Sequence, residues 1–142
     1  MNVDRERLPR SGWLFVGLLV MALLTSLFNA LVFHPLGLPL SFSAATVIAG
    51  MAPVIIYVGV WYDEEKRPYW EHNRLRIATD VTFVVIGTLL GASVALFGLL
   101  ELGLPRLPRE LVAMLVGLVA GWALFYTRNP EIYFQNIDGN GN

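Results

Sequence analysis

The side chains able to do chemistry are crowded into one stretch of this sequence. Between positions 63 and 80 stand Asp63, Glu64, Glu65, Glu71, His72 and Asp80, interleaved with Lys66, Arg67, Arg74 and Arg76. Carboxylate oxygens beside an imidazole form a donor set for a hard or borderline cation, and the same pairing is the minimum for general acid-base work. The spacing matches no ligand motif, however, and a run of mixed charge is ordinarily a solvated face. No metal and no cofactor is therefore expected, and no catalytic residue is assigned. The sequence contains no cysteine, which excludes disulfides, thiolate zinc sites, cysteine-held iron-sulfur clusters and covalent c-type haem attachment. Histidine-held haem has only His34 and His72 to draw on.

The remaining reactive groups read as structural. His34, followed by Pro35, stands alone at the end of an apolar run with no acid-base partner nearby. Asp80 reads as a cap for free amides at the start of a helix, facing the positive end of the helix dipole, with Arg76 four residues away. Glu101 lies at the far end of the same run. No nucleophilic triad, phosphate-binding loop or intramembrane carboxylate pair is visible.

The elements that position these groups are apolar blocks. Of 142 residues, 56% are hydrophobic and only 15% charged, against about 25% charged in soluble domains, and the mean hydropathy is +0.59. A membrane core about 30 Å thick needs roughly 20 apolar residues per helix. Four stretches qualify, at 13–33, 42–62, 81–100 (with a start at Leu75 as the alternative) and 111–126, the last being short. They predict an all-α membrane protein: a single domain over 1–142 with four transmembrane helices in an up-down bundle, a loop at 63–80 and a disordered tail at 136–142. Arg5, Arg7 and Arg10 precede the first stretch in the manner of a signal peptide, but a signal core is roughly 7 to 15 residues. An uncleaved span is expected instead.

Orientation follows from lysine and arginine. Arg5, Arg7, Arg10, Lys66, Arg67, Arg74, Arg76 and Arg128 fall on one side, and only Arg106 and Arg109 on the other, which predicts both termini inside. Trp13, Trp61, Trp70 and Trp122, with Tyr57, Tyr62, Tyr69, Tyr126 and Tyr133, gather on that same side, although interfacial aromatics normally form two belts.

Within the spans, small residues recur every four positions: Gly87, Gly91 and Ala95 on the third, Gly117 and Gly121 on the fourth. Such stripes let helix backbones meet, either within the chain or between copies. Pro53, after Gly50, should kink the second span, and Asn29, with Thr25 and Ser26 a turn earlier, is the main polar intrusion in the first; together they are candidates for a transport path. No lysine, arginine or carboxylate is central in any span, which argues against a proton-coupled exporter. The reading favoured is a non-enzymatic membrane subunit or scaffold. It would act through helix packing and a cytoplasmic contact surface of Trp61, Tyr62, Arg67, Tyr69, Trp70, Arg74 and Arg76. The alternatives are a small oligomeric transporter or channel and, last, an enzyme using the 63–80 loop. Expected partners are membrane lipid and another membrane protein or a second copy, in the cell membrane. The net charge of −1 argues against nucleic acid.

Overall fold

A computed structural model describes residues 9–133; the tail at 136–142 and the N-terminal Arg5 and Arg7 lie outside the described residues. Helix α1 spans Arg10–Phe28 and runs into a π-helical turn, Asn29–Phe33. Helix α2 covers Ser43–Tyr62 after a 3₁₀ turn at Leu40–Phe42. A 3₁₀ segment, Glu64–Glu71, leads to α3, Arg74–Leu100, and α4 covers Arg106–Arg128. The described residues form no strand. Four segments are long and apolar enough to cross a membrane: Arg10–Phe33, Leu40–Tyr62, Arg74–Leu100 and Arg106–Arg128. The chain is thus an all-helical, multi-pass membrane protein.

Two boundaries differ from the sequence expectation. Helix α3 begins at Arg74 rather than near 81, because the Asn73 side chain accepts the Arg76 amide at 2.8 Å and caps the first turn. The loop shrinks accordingly to 63–73, and Asp80 sits nearly two turns inside the helix, where it cannot act as a cap. Helix α4 begins at Arg106 rather than 111. Pro108 falls in its first turn, where a missing amide hydrogen costs nothing, and Arg106 bonds Glu110 one turn on at 2.7 Å. Its 23 residues reach about 34 Å at 1.5 Å each, a full span rather than a short one.

Helix α2 is central. It packs against α1, α3 and α4, and it buries Ala45, Ile48, Ala52, Ile56 and Val60 on its inner face. No residue of α1 within Arg10–Phe28 is buried. That helix lies against α2 and gives most of its apolar side chains, Phe15, Leu19, Leu23 and Leu27 among them, to the surroundings. Where it meets α2, small residues make the contact: a Cβ on Gly17 would come within 2.7 Å of the Val54 side chain, and Gly50 receives the Thr25 methyl. Pro53, inside α2, removes one ladder hydrogen bond close to this seam.

Helices α3 and α4 pack most extensively. Gly87 and Gly91 face Gly121 and Gly117 of α4, and a Cβ on Gly117 would lie 2.7 Å from both the Thr88 carbonyl and the Ala92 Cβ. Backbone meets backbone there, which is the close approach that small residues at four-residue spacing permit. The turns following α1 and α3 each carry a glycine with positive φ, Gly37 at 100° and Gly103 at 65°, a backbone that favours glycine. At the opposite end, the start of α1, the end of α2, the 3₁₀ segment, the start of α3 and the end of α4 converge. This aromatic end holds the polar site.

Candidate functional site at the aromatic end

Asp80 is fully buried, as are Tyr69 and Asn129. A bare carboxylate in such a place would be very costly, so its hydrogen bonds decide whether it can stay. All three partners come from outside α3. Arg128, at the end of α4, donates from Nε to Oδ1 at 2.5 Å. Asn129 donates from Nδ2 to Oδ2 at 3.1 Å, and the Tyr69 hydroxyl donates to the same oxygen at 3.0 Å. Two oxygens thus take three donors, one of them cationic.

Each donor is itself held. The Arg128 guanidinium lies 4.6 Å over the Phe83 ring, one turn along α3 from Asp80. Asn129 also donates to the Phe125 carbonyl at 3.2 Å. Arg76 reaches over from α3 to cap the end of α4, donating to the Arg128 carbonyl at 3.1 Å and to Asn129 Oδ1 at 3.2 Å. This places a cation at the negative end of the α4 dipole. Glu131 lies 3.6 Å from Arg76. Tyr69 spends its only hydroxyl hydrogen on Asp80, so the Tyr57 hydroxyl, 2.6 Å away, must donate to it. His72 Nδ1 lies 2.8 Å from the Tyr69 carbonyl; a carbonyl only accepts, so Nδ1 carries the proton and Nε2 faces Glu131 at 3.9 Å.

The aromatic rings pack round this polar knot. Tyr69 meets Tyr57, Trp70 and Phe125 with centroids 5.4 to 5.7 Å apart, and Trp13 meets Trp61 edge-on at 5.5 Å. Such pairs add about 0.5 to 1.5 kcal/mol beyond their buried area. The arrangement pins the 3₁₀ segment to α2, α3 and α4 at once.

Burial above all, reinforced by the Asp80 carboxylate, holds the Tyr69 phenol well above the ordinary tyrosine value of 10.0. A folded-state value above the unfolded one means that the native state keeps its proton longer. The stabilisation from that proton is complete below pH 10 and is lost as pH rises beyond it, by about 1.4 kcal/mol per pH unit for one such group. Chemical denaturation at pH 8 and pH 11 checks this. Stability should fall steeply over that interval in the native protein, and Tyr69→Phe should show a shallower fall from a lower starting point.

The sequence-derived contact surface divides here. Tyr69 is fully buried with its hydroxyl bonded to Asp80, whereas Arg76 bonds the end of α4 and keeps its side chain 39% exposed. Trp61 and Tyr62 are half-buried in the ring stack. Arg67, Trp70 and Arg74 face outward. Asp80, read from sequence as a cap paired with Arg76, is bonded instead to Arg128. Sequence reasoning overlooked Asn129 altogether, since it lies 49 positions from Asp80 and no local pattern marks it. The one available signal was an aspartate within an apolar helix, which demands a partner.

Asn29 and Pro53 are not brought together with this site. Asn29 lies at the other end, buried in the π-turn, where its Oδ1 accepts from Thr46 at 2.6 Å and its Nδ2 donates to the Ser43 carbonyl at 3.4 Å. His34 Nε2 lies 3.0 Å from Ser43 Oγ beside it. Two grooves open on the flanks, one of about 540 Å³ between α1 and α2 and one of about 590 Å³ between α3 and α4. Neither is lined by Asn29 or Pro53. Gly87, Gly91 and Ala95 also line the second groove, on the flank of the α3–α4 contact. Among the described residues, no three histidine, aspartate or glutamate side chains are grouped to hold a metal ion.

No known protein family, curated protein or solved structure matches the chain.

Proposed function

We propose that this is a non-enzymatic membrane subunit or scaffold that works by contact, with its aromatic end as the docking face. The observation that carries the reading is the Asp80 knot. Three donors from two separate segments, the 3₁₀ segment and the end of α4, converge on one buried carboxylate and fix the 3₁₀ segment as a rigid platform. Trp70 stands on that platform, 40% exposed, flanked by the exposed Arg67 and Arg74. Tryptophan and arginine on a preorganised surface are the residue types that anchor protein interfaces. The partner that suits them offers an acidic and aromatic surface at the membrane boundary, on another membrane protein or a second copy of this chain.

The topology belonging to this proposal is an up-down bundle with both termini and the aromatic end in the cytoplasm of the cell membrane. The basic residues support it, since among the described residues Arg10, Lys66, Arg67, Arg74, Arg76 and Arg128 lie at that end and only Arg106 and Arg109 at the other. A small transporter or channel is the weaker reading: the polar atoms of Asn29 are bonded to α2, and the two large grooves have apolar walls.

Native mass measurement in mild detergent tests the proposal. A second protein or a second copy should be retained at fixed stoichiometry, and Trp70→Ala should release it without lowering the melting temperature by more than a few degrees. A chain that is strictly monomeric in membranes and in detergent would contradict the reading. Because the sequence lacks cysteine, single cysteines at positions 37 and 70 map the orientation cleanly. Position 37 should label from outside intact cells, and position 70 only after permeabilisation.

A further inference from the structure

We infer that the groove between α1 and α2 is a binding site for one acyl chain of an anionic phospholipid, with the headgroup phosphate held at Arg10. The groove, about 540 Å³, is walled by Trp13, Val20 and Met21 of α1 and by Val54, the Tyr57 ring and Trp61 of α2, with no polar surface. Its extent selects the occupant. On α1 the lining runs from Trp13 to Met21, about 12 Å at 1.5 Å per residue, with Arg10 about 4.5 Å further out; groove and mouth together come close to the depth of one leaflet, half of a hydrocarbon core of about 30 Å. A transmembrane helix of another protein would need a seam along the whole span. On α1 the lining of the groove reaches no further than Met21.

The mouth of the groove supplies the headgroup site. The Arg10 guanidinium lies over Gly59, where a Cβ would come 3.1 Å from Nη2. It bonds Asp63 at a long 3.4 Å with its side chain half exposed. Lys66 bonds the other oxygen of Asp63 at 3.0 Å. Two cations therefore share one carboxylate, and the half-exposed Arg10 guanidinium stands where a phosphate arrives when its chain lies in the groove. Arginine suits phosphate because its planar fork can offer two parallel donors. Trp13 and Trp61, at the level where the chain meets the headgroup, are the residue type that favours that depth. The inference rests on the membrane spans alone and is independent of the docking proposal.

Native mass spectrometry of the whole protein, equilibrated with equal amounts of phosphatidylglycerol and phosphatidylcholine of identical chains, tests it. One phosphatidylglycerol should remain at activation energies that strip other lipid, with a preference of about fivefold or more, as expected for one basic contact near a membrane surface. Arg10→Gln should abolish the preference for the anionic headgroup while leaving chain binding in place. Val20→Trp, which fills the groove from a side chain already half exposed, should remove the retained lipid of both kinds. Equal retention of the two lipids by the native protein, or many lipids with no saturable first site, would show ordinary annular lipid and overturn the inference. So would an unchanged preference in Arg10→Gln.

Discussion

Arg128→Met should lower the unfolding free energy by about 3 to 5 kcal/mol, the range for breaking a buried ion pair from one side. The asymmetry of the pair makes this more than a generic loss. Asp80 is fully buried while the Arg128 side chain is about one-third exposed, so removing arginine strands the carboxylate, whereas removing the carboxylate lets arginine turn towards water. Asp80→Asn should therefore cost less, about 1 to 2 kcal/mol, since the amide can still accept from Tyr69 while losing the charge-assisted bond. The double variant should be more stable than Arg128→Met alone, because no stranded charge remains. Denaturation from mixed micelles or steric trapping in bicelles measures all three. Equal costs for the two single variants would mean that Asp80 is not isolated from solvent as the bonding pattern requires.

The second large effect lies in the glycine seam. Gly117→Leu places a Cβ against the Thr88 carbonyl and the Ala92 Cβ, both at 2.7 Å. A carbonyl in a helix cannot turn aside as a flexible side chain can, so α3 and α4 must separate. About 3 kcal/mol is expected, at the upper end for overpacking. Gly98→Leu is the matched control: a Cβ there meets nothing within 4 Å, and the change should stay within about 0.5 kcal/mol, as for a surface substitution. If the stripe instead joined two copies, Gly117→Leu would change the native mass and leave unfolding of the single chain nearly untouched. The two measurements separate an intramolecular seam from an intermolecular one.

How much of this could be read from the sequence depended on the range of the interaction. The membrane spans were legible because hydropathy is a local property: a run such as 13–33 carries its own signal. Helix starts were less so. The apolar run from 111 marked the fourth span, yet proline in a first turn is harmless, and α4 begins at Arg106 with Pro108 inside it. The capping role of Asn73 was hidden for a similar reason, since the charged residues after it looked like loop. The site itself was the least legible. Asp80 could be picked out as an unusual residue, but its partners come from the 3₁₀ segment and from the end of α4, 11 to 49 positions away. A sequence does not specify which helix ends meet. Tyr69 shows the same limit from the other side. As part of a charged and aromatic stretch it read as surface, and it became interior only because a buried carboxylate needed its hydroxyl.

The contact proposal is tested most directly by placing a photocrosslinking amino acid at position 70, in place of Trp70, and irradiating intact membranes. A discrete protein adduct of fixed mass is expected there, lost when Arg67 and Arg74 are both changed to glutamate, and absent when the same group replaces Leu102 at the opposite end. An adduct-free position 70, or adducts of the same kind from both ends, would contradict the assignment of the aromatic end as the docking face.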